Sequence, residues 1–411
     1  MKATRSLLVT VIVFCVAAGT GVGQGMDWMR ATNAAGWTGR RAFACVSFND
    51  LMWVLGGYAY LYSDQNDVWH SQDGVTWTQA TDSAEWSERN GPAAVAFDGK
   101  IWVTGGFDFD GVQRDVWWST DGANWTCATS AADWQNRAGH TMVVMNGKMW
   151  ILGGANFDPP KNDVWSSTDG VDWTEETDSA GWSGRMWSAS VVYNGRMYIM
   201  GGGDHNDPLF SDVWSSADGK DWALETDSAG WGVRDGHVAV VHDSMIWLMG
   251  GATPSRPENN DVWRSTNGRD WTKVIDSAPW PARSRAAGLS LNGKMWVIAG
   301  QGTSAYPRDV WYSTGLGVSE EPGRAGVPRG IRVTPNPFFH SVAVALNSPA
   351  RADGVARVYA KDGRLVRQAQ IPAGSNRWVW DGRDDSGAPL PPGVYIIDTG
   401  KGARARVVVT R

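Results

Sequence analysis

Residues 134–182, WQNRAGHTMVVMNGKMWILGGANFDPPKNDVWSSTDGVDWTEETDSAGW, run from one tryptophan to its next counterpart and hold one complete structural unit. Four strand-length runs lie inside it: His140–Met145, Lys148–Leu152, Asp163–Ser167 and Asp172–Glu176. Asn146-Gly147 separates the first two, and Thr168-Asp169-Gly170 separates the last two. Asn-Gly and Asp-Gly between apolar runs mark tight hairpins, because such turns need positive φ. Runs of β-branched and aromatic residues suit strands, and no stretch of the unit shows the 3.6-residue apolar period of a helix.

The unit recurs along the chain. Its first tryptophan stands at 37, 86, 134, 182, 231 and 280, spaced by 48 or 49 residues. Three positions on comes an arginine: Arg40, Arg89, Arg137, Arg185, Arg234 and Arg283. A Gly-Gly pair follows nineteen positions after each tryptophan, with Ala299-Gly300 in the sixth copy. Asp-Val-Trp then ends at Trp69, Trp117, Trp165, Trp214, Trp263 and Trp311, and another tryptophan lies eight residues further at 77, 125, 173, 222 and 271. Four antiparallel strands per unit, six times over, predict the blades of an all-β, six-bladed propeller.

The sixth copy breaks at Gly315 before its fourth strand. Met26-Asp27-Trp28-Met29 matches Val171-Asp172-Trp173-Thr174, and Trp28 stands nine residues before Trp37. The N-terminal strand is therefore expected to be the outermost strand of the last blade, closing the ring and filling its fourth position.

This pattern resembles the kelch family, whose repeat runs Arg, an apolar strand, a Gly-containing turn, a second strand ending in Gly-Gly, and a later Trp. The resemblance covers residues 26–315 or so. The turn Ser167–Trp173 is also similar to the Asp-box of sialidase-type propellers, one residue shorter, where that motif is structural.

The ends divide the chain further. Lys2 and Arg5 precede an apolar run from Leu7 to Ala18 and a small-residue stretch, a pattern that predicts an export signal over residues 1–24. Twelve apolar residues are too few for a membrane-spanning helix, which takes about 20, so no transmembrane segment is expected in the mature chain. The propeller is assigned to 25–314 and a Gly/Pro/charge-rich linker to 315–330. From Ile331 to Arg411 strand signals resume. Thr334-Pro335-Asn336-Pro337-Phe338, Trp380-Asp381-Gly382-Arg383 and Pro392-Gly393-Val394-Tyr395 resemble the Ig-like C-terminal domains of exported bacterial proteins. Similar modules act as type IX secretion sorting signals and occur in the flagellar hook-capping protein. The resemblance implies export and display on the cell surface or release, on the exterior of a bacterial outer membrane, with partners in the secretion or surface machinery.

Charge excludes one class of partner. Residues 331–411 carry 12 Lys and Arg against 6 Asp and Glu, leaving 25 against 37 in residues 1–330. An acidic body without a basic stripe is unsuited to nucleic acid. Cys45 and Cys127, the two cysteines beyond the export signal, form no disulfide framework and are expected to be small buried hydrophobes.

Of the 27 tryptophans, 23 occupy four repeating positions, which reads as packing between blades. Trp118, Trp187, Trp378 and Trp380 fall outside them. The six repeat arginines have two readings. They would ring the mouth of the central channel as ligand-binding groups, or each would pair with a nearby aspartate such as Asp82, Asp178, Asp227 or Asp276. The Asp-Val-Trp aspartates are read as turn residues leading into a strand. The loops after Gly-Gly differ between blades and are rich in aromatics: Tyr58, Tyr60, Tyr62, Phe107, Phe109, Phe157, Phe210 and Tyr306. Flat aromatic faces beside Asp108, Asn156, Asp158 and Asp204 suit sugar rings, and Tyr-rich loops also suit proteins. The plainer alternative is that these rings fold back over the blade tops.

No catalytic constellation and no cofactor is expected. A galactose-oxidase-like copper site would need two histidines, two tyrosines and a cross-linking cysteine, whereas Cys127 falls on an outer strand. A sialidase would need an arginine triad with a tyrosine–glutamate pair, yet Glu175 and Glu176 are also on an outer strand. A kelch-type mutarotase needs only an arginine and a carboxylate on the loop face. Asp108 with Asp110, or Asp204 with Asp207, would offer oxygen ligands to calcium, although a short acidic loop is usually just solvated. The reading is a non-catalytic binding or scaffold protein that takes a carbohydrate or protein partner on its loop face, with a sugar mutarotase- or sialidase-like enzyme as the alternative.

Overall fold

Five four-stranded antiparallel sheets and one of five strands, the first blade with the short extra strand Arg40–Arg41, account for the N-terminal three-quarters of the chain in a computed structural model. The structure describes residues 26–59, 63–156, 159–203, 208–254, 258–303, 305–316, 331–334, 342–346, 354–360, 364–372, 375, 377–391, 393–398 and 404–409. The export signal, Tyr60, Tyr62, Phe157, Asp158, Asp204, Asp207 and most of the linker lie outside the described residues.

The third blade shows how sequence becomes sheet. Its strands are Thr141–Met145, Lys148–Leu152, Val164–Ser167 and Thr174–Thr177, hydrogen-bonded in that order. Asn146 and Gly147 turn the first hairpin with φ of 52° and 71°, the doubly positive pair that such a turn demands. The second strand is buried from Met149 to Leu152, so it reads as a continuous apolar run between two neighbours. The fourth strand begins exposed, which suits an outer edge of short polar residues.

Closure follows the expected route. Met26–Thr32 pairs antiparallel with Val310–Leu316, matching Trp28 to Ser313 and Met29 to Tyr312. The last blade thus has the order Met26–Thr32, Val310–Leu316, Lys294–Ile298, Ala287–Leu291. The strand runs to Leu316, one residue past the expected break at Gly315. Trp28 meets Trp280 edge to face at 6.0 Å, as Trp77 meets Trp37 at 5.6 Å and Trp173 meets Trp134 at 6.1 Å. The strand from the far end of the chain therefore supplies the same packing piece that every other blade supplies for itself.

Blades lock to one another through the outer turns. In the turn after Ser119, Gly122 has φ of 73°, and a Cβ there would lie 2.1 Å from the Trp53 ring of the preceding blade. The Ser119 hydroxyl accepts the Gly122 N–H at 2.8 Å, and Asp121 Oδ1 accepts the N–H groups of Ala123 and Asn124, each at 2.9 Å. This is the Asp-box-like turn, and its role is structural. Both cysteines are free thiols; Cys45 is partly buried, but Cys127 is exposed on the outer strand Thr126–Thr129, which corrects the expectation of burial.

The chain divides between Glu320 and Glu321. In the C-terminal unit, Ile331–Thr334, Val342–Leu346 and Arg377–Trp380 form one sheet. Leu365–Ile371, Gly354–Ala360, Gly393–Asp398 and Arg404–Val409 form another. Val344 and Trp380 of the first pack with Val358, Tyr395 and Val407 of the second, giving an Ig-like sandwich its core.

Candidate functional site

The repeat arginines are the first residues to place, and their guanidinium groups do not reach the channel mouth. All six are at most 2% exposed. Arg137 donates to both carboxylate oxygens of Asp163, at 2.8 and 2.7 Å, and to the Gly153 carbonyl at 2.8 Å. Arg40, Arg89, Arg185, Arg234 and Arg283 repeat this with Asp67, Asp115, Asp212, Asp261 and Asp309. Each guanidinium also lies 5.6–5.9 Å from the ring of its own repeat tryptophan. The reading of an arginine ring at the mouth is thereby corrected. So is the alternative partner: the aspartate of Asp-Val-Trp is used, not Asp82, Asp178, Asp227 or Asp276. The reason is reach, since the Asp-Val-Trp carboxylate enters the third strand beside the Gly-Gly carbonyl. It also accepts the indole N–H two residues on, as in Trp165 to Asp163 at 2.9 Å. Burial pushes the Asp163 carboxyl up, but the Arg137 hydrogen bonds and charge outweigh it and hold it below the usual carboxylate value.

What does face the channel lies one to three residues after each arginine. Ala42, Gly91, Gly139, Trp187, Gly236 and Arg285 form a closed ring of backbone hydrogen bonds from blade to blade. The Gly91 N–H donates to Ala42 O at 2.7 Å, and so on around to the Ala42 N–H on Arg285 O at 3.0 Å. All six residues have positive φ, between 48° and 66°. Glycine takes that region freely, whereas Ala42 at 52°, Trp187 at 54° and Arg285 at 48° are strained there. Their side chains occupy the space the glycines leave. A Cβ on Gly91 would meet the Trp187 ring at 3.0 Å, and one on Gly236 would meet Arg285 Cγ at 2.9 Å. The Arg285 guanidinium stacks over Trp187 at 4.7 Å.

One position earlier, Arg41, Asn90, Ala138, Met186, Asp235 and Ser284 bridge to the residues just after Gly-Gly: Tyr58, Phe107, Ala155, Gly203, Ala252 and Gln301. These bridges put the loops after Gly-Gly and the channel mouth on one face, as the meander predicts. Half of that rim is small or apolar, and the chemistry gathers on the other half. Arg41 lies 5.2 Å from both the Tyr58 and Tyr306 rings, which are 6.3 Å apart, and it donates to Gln301 Oε1. Arg285 approaches Asp235 at 3.7 Å. Asn90 donates to Asp64 at 2.7 Å, while burial, then Asp108 and Glu88, push the Asp64 carboxyl up despite that bond. Next to Tyr306 a cleft of about 540 Å³ opens against the N-terminal strand, lined by Arg30, Asn33, Thr38 and Arg308.

The loop aromatics therefore split. Tyr58 and Tyr306 flank Arg41, Phe107 is partly buried on the rim, and Phe109 is wholly exposed. Phe210 folds back, 4.5 Å from the buried Arg185 guanidinium. Asp108 is committed to Ser87 Oγ at 2.5 Å, Gln113 Nε2 at 2.8 Å and the Asp110 N–H at 2.9 Å. Glu176 lies on the outer strand, paired with Lys148 at 2.9 Å. Among the described residues no three His, Cys, Asp or Glu side chains gather as a metal site would need.

Arg41, Asp235, Trp187 and Arg285 were not among the candidate residues read from sequence. The signal was present: Trp187 is one of four tryptophans outside the repeat, and it stands where three other copies have glycine.

Comparison with known proteins agrees with this architecture. A family model described as the KLHDC2/KLHL20/DRC7 Kelch-repeats domain matches residues 42–223 and 139–314, and the FlgD Ig-like domain matches residues 339–399. A solved structure titled "Structure of YjhT" aligns with 68% of this chain and 96% of its own, at a TM-score of 0.58 and 16% identity, a likeness of fold alone. No curated protein sequence matches the chain.

Proposed function

The chain belongs to the kelch-repeat family of β-propellers, and from that premise we propose that it is a binding protein that takes a carbohydrate on the loop face of the propeller. The observation that carries the reading is the Arg41 guanidinium set between the Tyr58 and Tyr306 rings at the channel mouth. Aromatic faces offer apolar contact to a sugar ring, while a guanidinium fork supplies oriented donors to its hydroxyl or carboxylate oxygens. The neighbouring cleft lined by Arg30, Thr38 and Arg308 extends that surface. A protein partner on the same face is the competing occupant, since Tyr and Arg also dominate protein hot spots.

We further propose that the protein is exported and acts outside the cell. Support comes from the apolar run Leu7–Ala18 after Lys2 and Arg5, and from the Ig-like C-terminal domain as an attachment or sorting module. Among the described residues no helix is long and apolar enough to cross a membrane.

The test is a glycan and peptide array screen with the mature chain, followed by titration of any ligand found. Arg41→Ala and Tyr306→Ala should each weaken binding about thirtyfold, the effect of losing a hot spot worth about 2 kcal/mol. Parent-like affinity in both variants would move the site off the rim. A mutarotase-like reading draws on one observation, the Arg285–Asp235 pair at the mouth. It predicts faster anomer exchange of a free sugar, which NMR detects directly, whereas binding alone gives saturation without turnover.

A further inference from the structure

We propose that the central channel itself is a binding site for a small monovalent anion, a halide or a short carboxylate, distinct from the partner surface on the rim. The observation is a pair of neighbouring polar atoms, on Trp187 and Ser188 lining one cavity, that have no hydrogen-bond partner on the protein. Beneath the ring, residues three past each arginine line the channel, and three of them are polar: His140, Ser188 and His237, each only 5–7% exposed. Ser188 Oγ and Trp187 Nε1 have no hydrogen-bond partner on the protein, whereas His140 Nε2 meets Thr104 Oγ1 at 2.8 Å and His237 hydrogen-bonds the Met200 backbone. Buried polar groups are nearly always satisfied, and two adjacent orphans beside one space point to something that satisfies them. The repeat tryptophans also carry unpartnered indole N–H groups. Those indoles, however, stand edge to face with a second ring, as Trp134 does with Trp173, where an N–H can rest on a π face.

The chemistry of the lining selects charge. The Trp187 indole is a donor only, the Ser188 hydroxyl is free to donate, and Arg285 adds a guanidinium lining the same cavity. Neither imidazole competes as a cation. Burial first, and then the neighbouring Arg137 and Arg234 charges, hold His140 and His237 neutral. The cavity measures about 120 Å³, room for roughly four waters at about 30 Å³ each, or for one small anion with a water. Two of the three strained non-glycine residues in the ring, Trp187 and Arg285, supply the indole and cationic donors, where glycine would serve the backbone better. Strain kept at a site points to function.

Crystals of the full mature chain soaked in bromide test the assignment. The expected result is an anomalous peak in the channel within hydrogen-bonding distance of Trp187 Nε1 and Ser188 Oγ. In solution at constant ionic strength, bromide or acetate should raise the melting temperature of the parent. Arg285→Gly copies the residue already present at 91, 139 and 236, so it should fold and melt at least as high without anion. It should bind the anion at least tenfold more weakly. Ser188→Ala gives a second variant with the ring intact, expected to weaken the anion effect. Water without anomalous signal at saturating bromide would overturn the proposal. So would an equal anion-dependent rise in the parent and Arg285→Gly.

Discussion

Arg137 and Asp163 meet through two parallel hydrogen bonds inside the third blade, and the arginine side chain there is completely buried. The pair joins the entrance of one blade to its third strand, while the third donor interaction anchors the Gly153 carbonyl. Six such pairs make the frame nearly independent of the loops above it.

Arg137→Ala would leave the Asp163 carboxylate buried without its cation. Breaking one side of such a pair costs roughly 3–5 kcal/mol, which chemical denaturation of the propeller would read directly. The double variant Arg137→Ala/Asp163→Ala should lose less than the two single losses added together, because the uncompensated charge is gone.

Acid should weaken the propeller in two stages. Burial, and secondarily the Arg137 and Arg234 cations, lower His140 and His237 from 6.5 to about 3. The unfolded chain therefore takes up protons first, and stability present above pH 6.5 falls progressively toward pH 3. The depressed carboxyls of Asp163 and Asp261 act later, and their contribution is lost only as pH drops below 3.8. Melting temperature against pH should decline from about 6.5 in the parent and more shallowly in His140→Phe and His237→Phe, since Phe43 fills the equivalent position. An unchanged slope in both variants would contradict neutral burial of these rings.

Removing residues 26–32 would strip Trp28 from Trp280 and expose the edge of Val310–Leu316. An unpaired edge invites association with other chains. The truncated protein should melt at least about 5 °C lower, the shift expected for a loss of two or more kcal/mol, and should aggregate in size-exclusion chromatography. A melting curve identical to the parent's would count against closure by this strand.

Deleting residues 331–411 should leave the propeller's melting transition in place, because the sandwich has its own core around Val344, Val358 and Trp380. In the native host the shortened protein should no longer reach the surface or medium, as fractionation and blotting would reveal. Normal surface levels would rule out the sorting role.

Gly122→Ala tests the seam between blades. The added methyl would sit 2.1 Å from Trp53 in a backbone with φ of 73°. A loss of more than about 1 kcal/mol is expected, since both strain and overpacking act.

Most of the frame was legible in the chain because repetition samples the same physics six times. Tryptophan spacing, Asn-Gly turns and the Asp-Trp motif at residues 27–28 are local or periodic signals, and a blade is built from neighbours in sequence. The sequence by itself therefore determined six blades, the strand that closes them and the separate Ig-like unit. What surrounds the channel is another matter. Arg41 and Tyr306 are 265 positions apart in the chain and meet only because the ring closes. Arg40 pairs with Asp67, not Asp82, because guanidinium reach inside a twisted sheet decides between two aspartates that sequence distance cannot rank. Trp187 looked like a stray until six backbone hydrogen bonds placed it on a ring with glycines. The periodic terms of folding are written locally, but residues from all six blades converge on the channel, and tertiary structure decides which side chains share it.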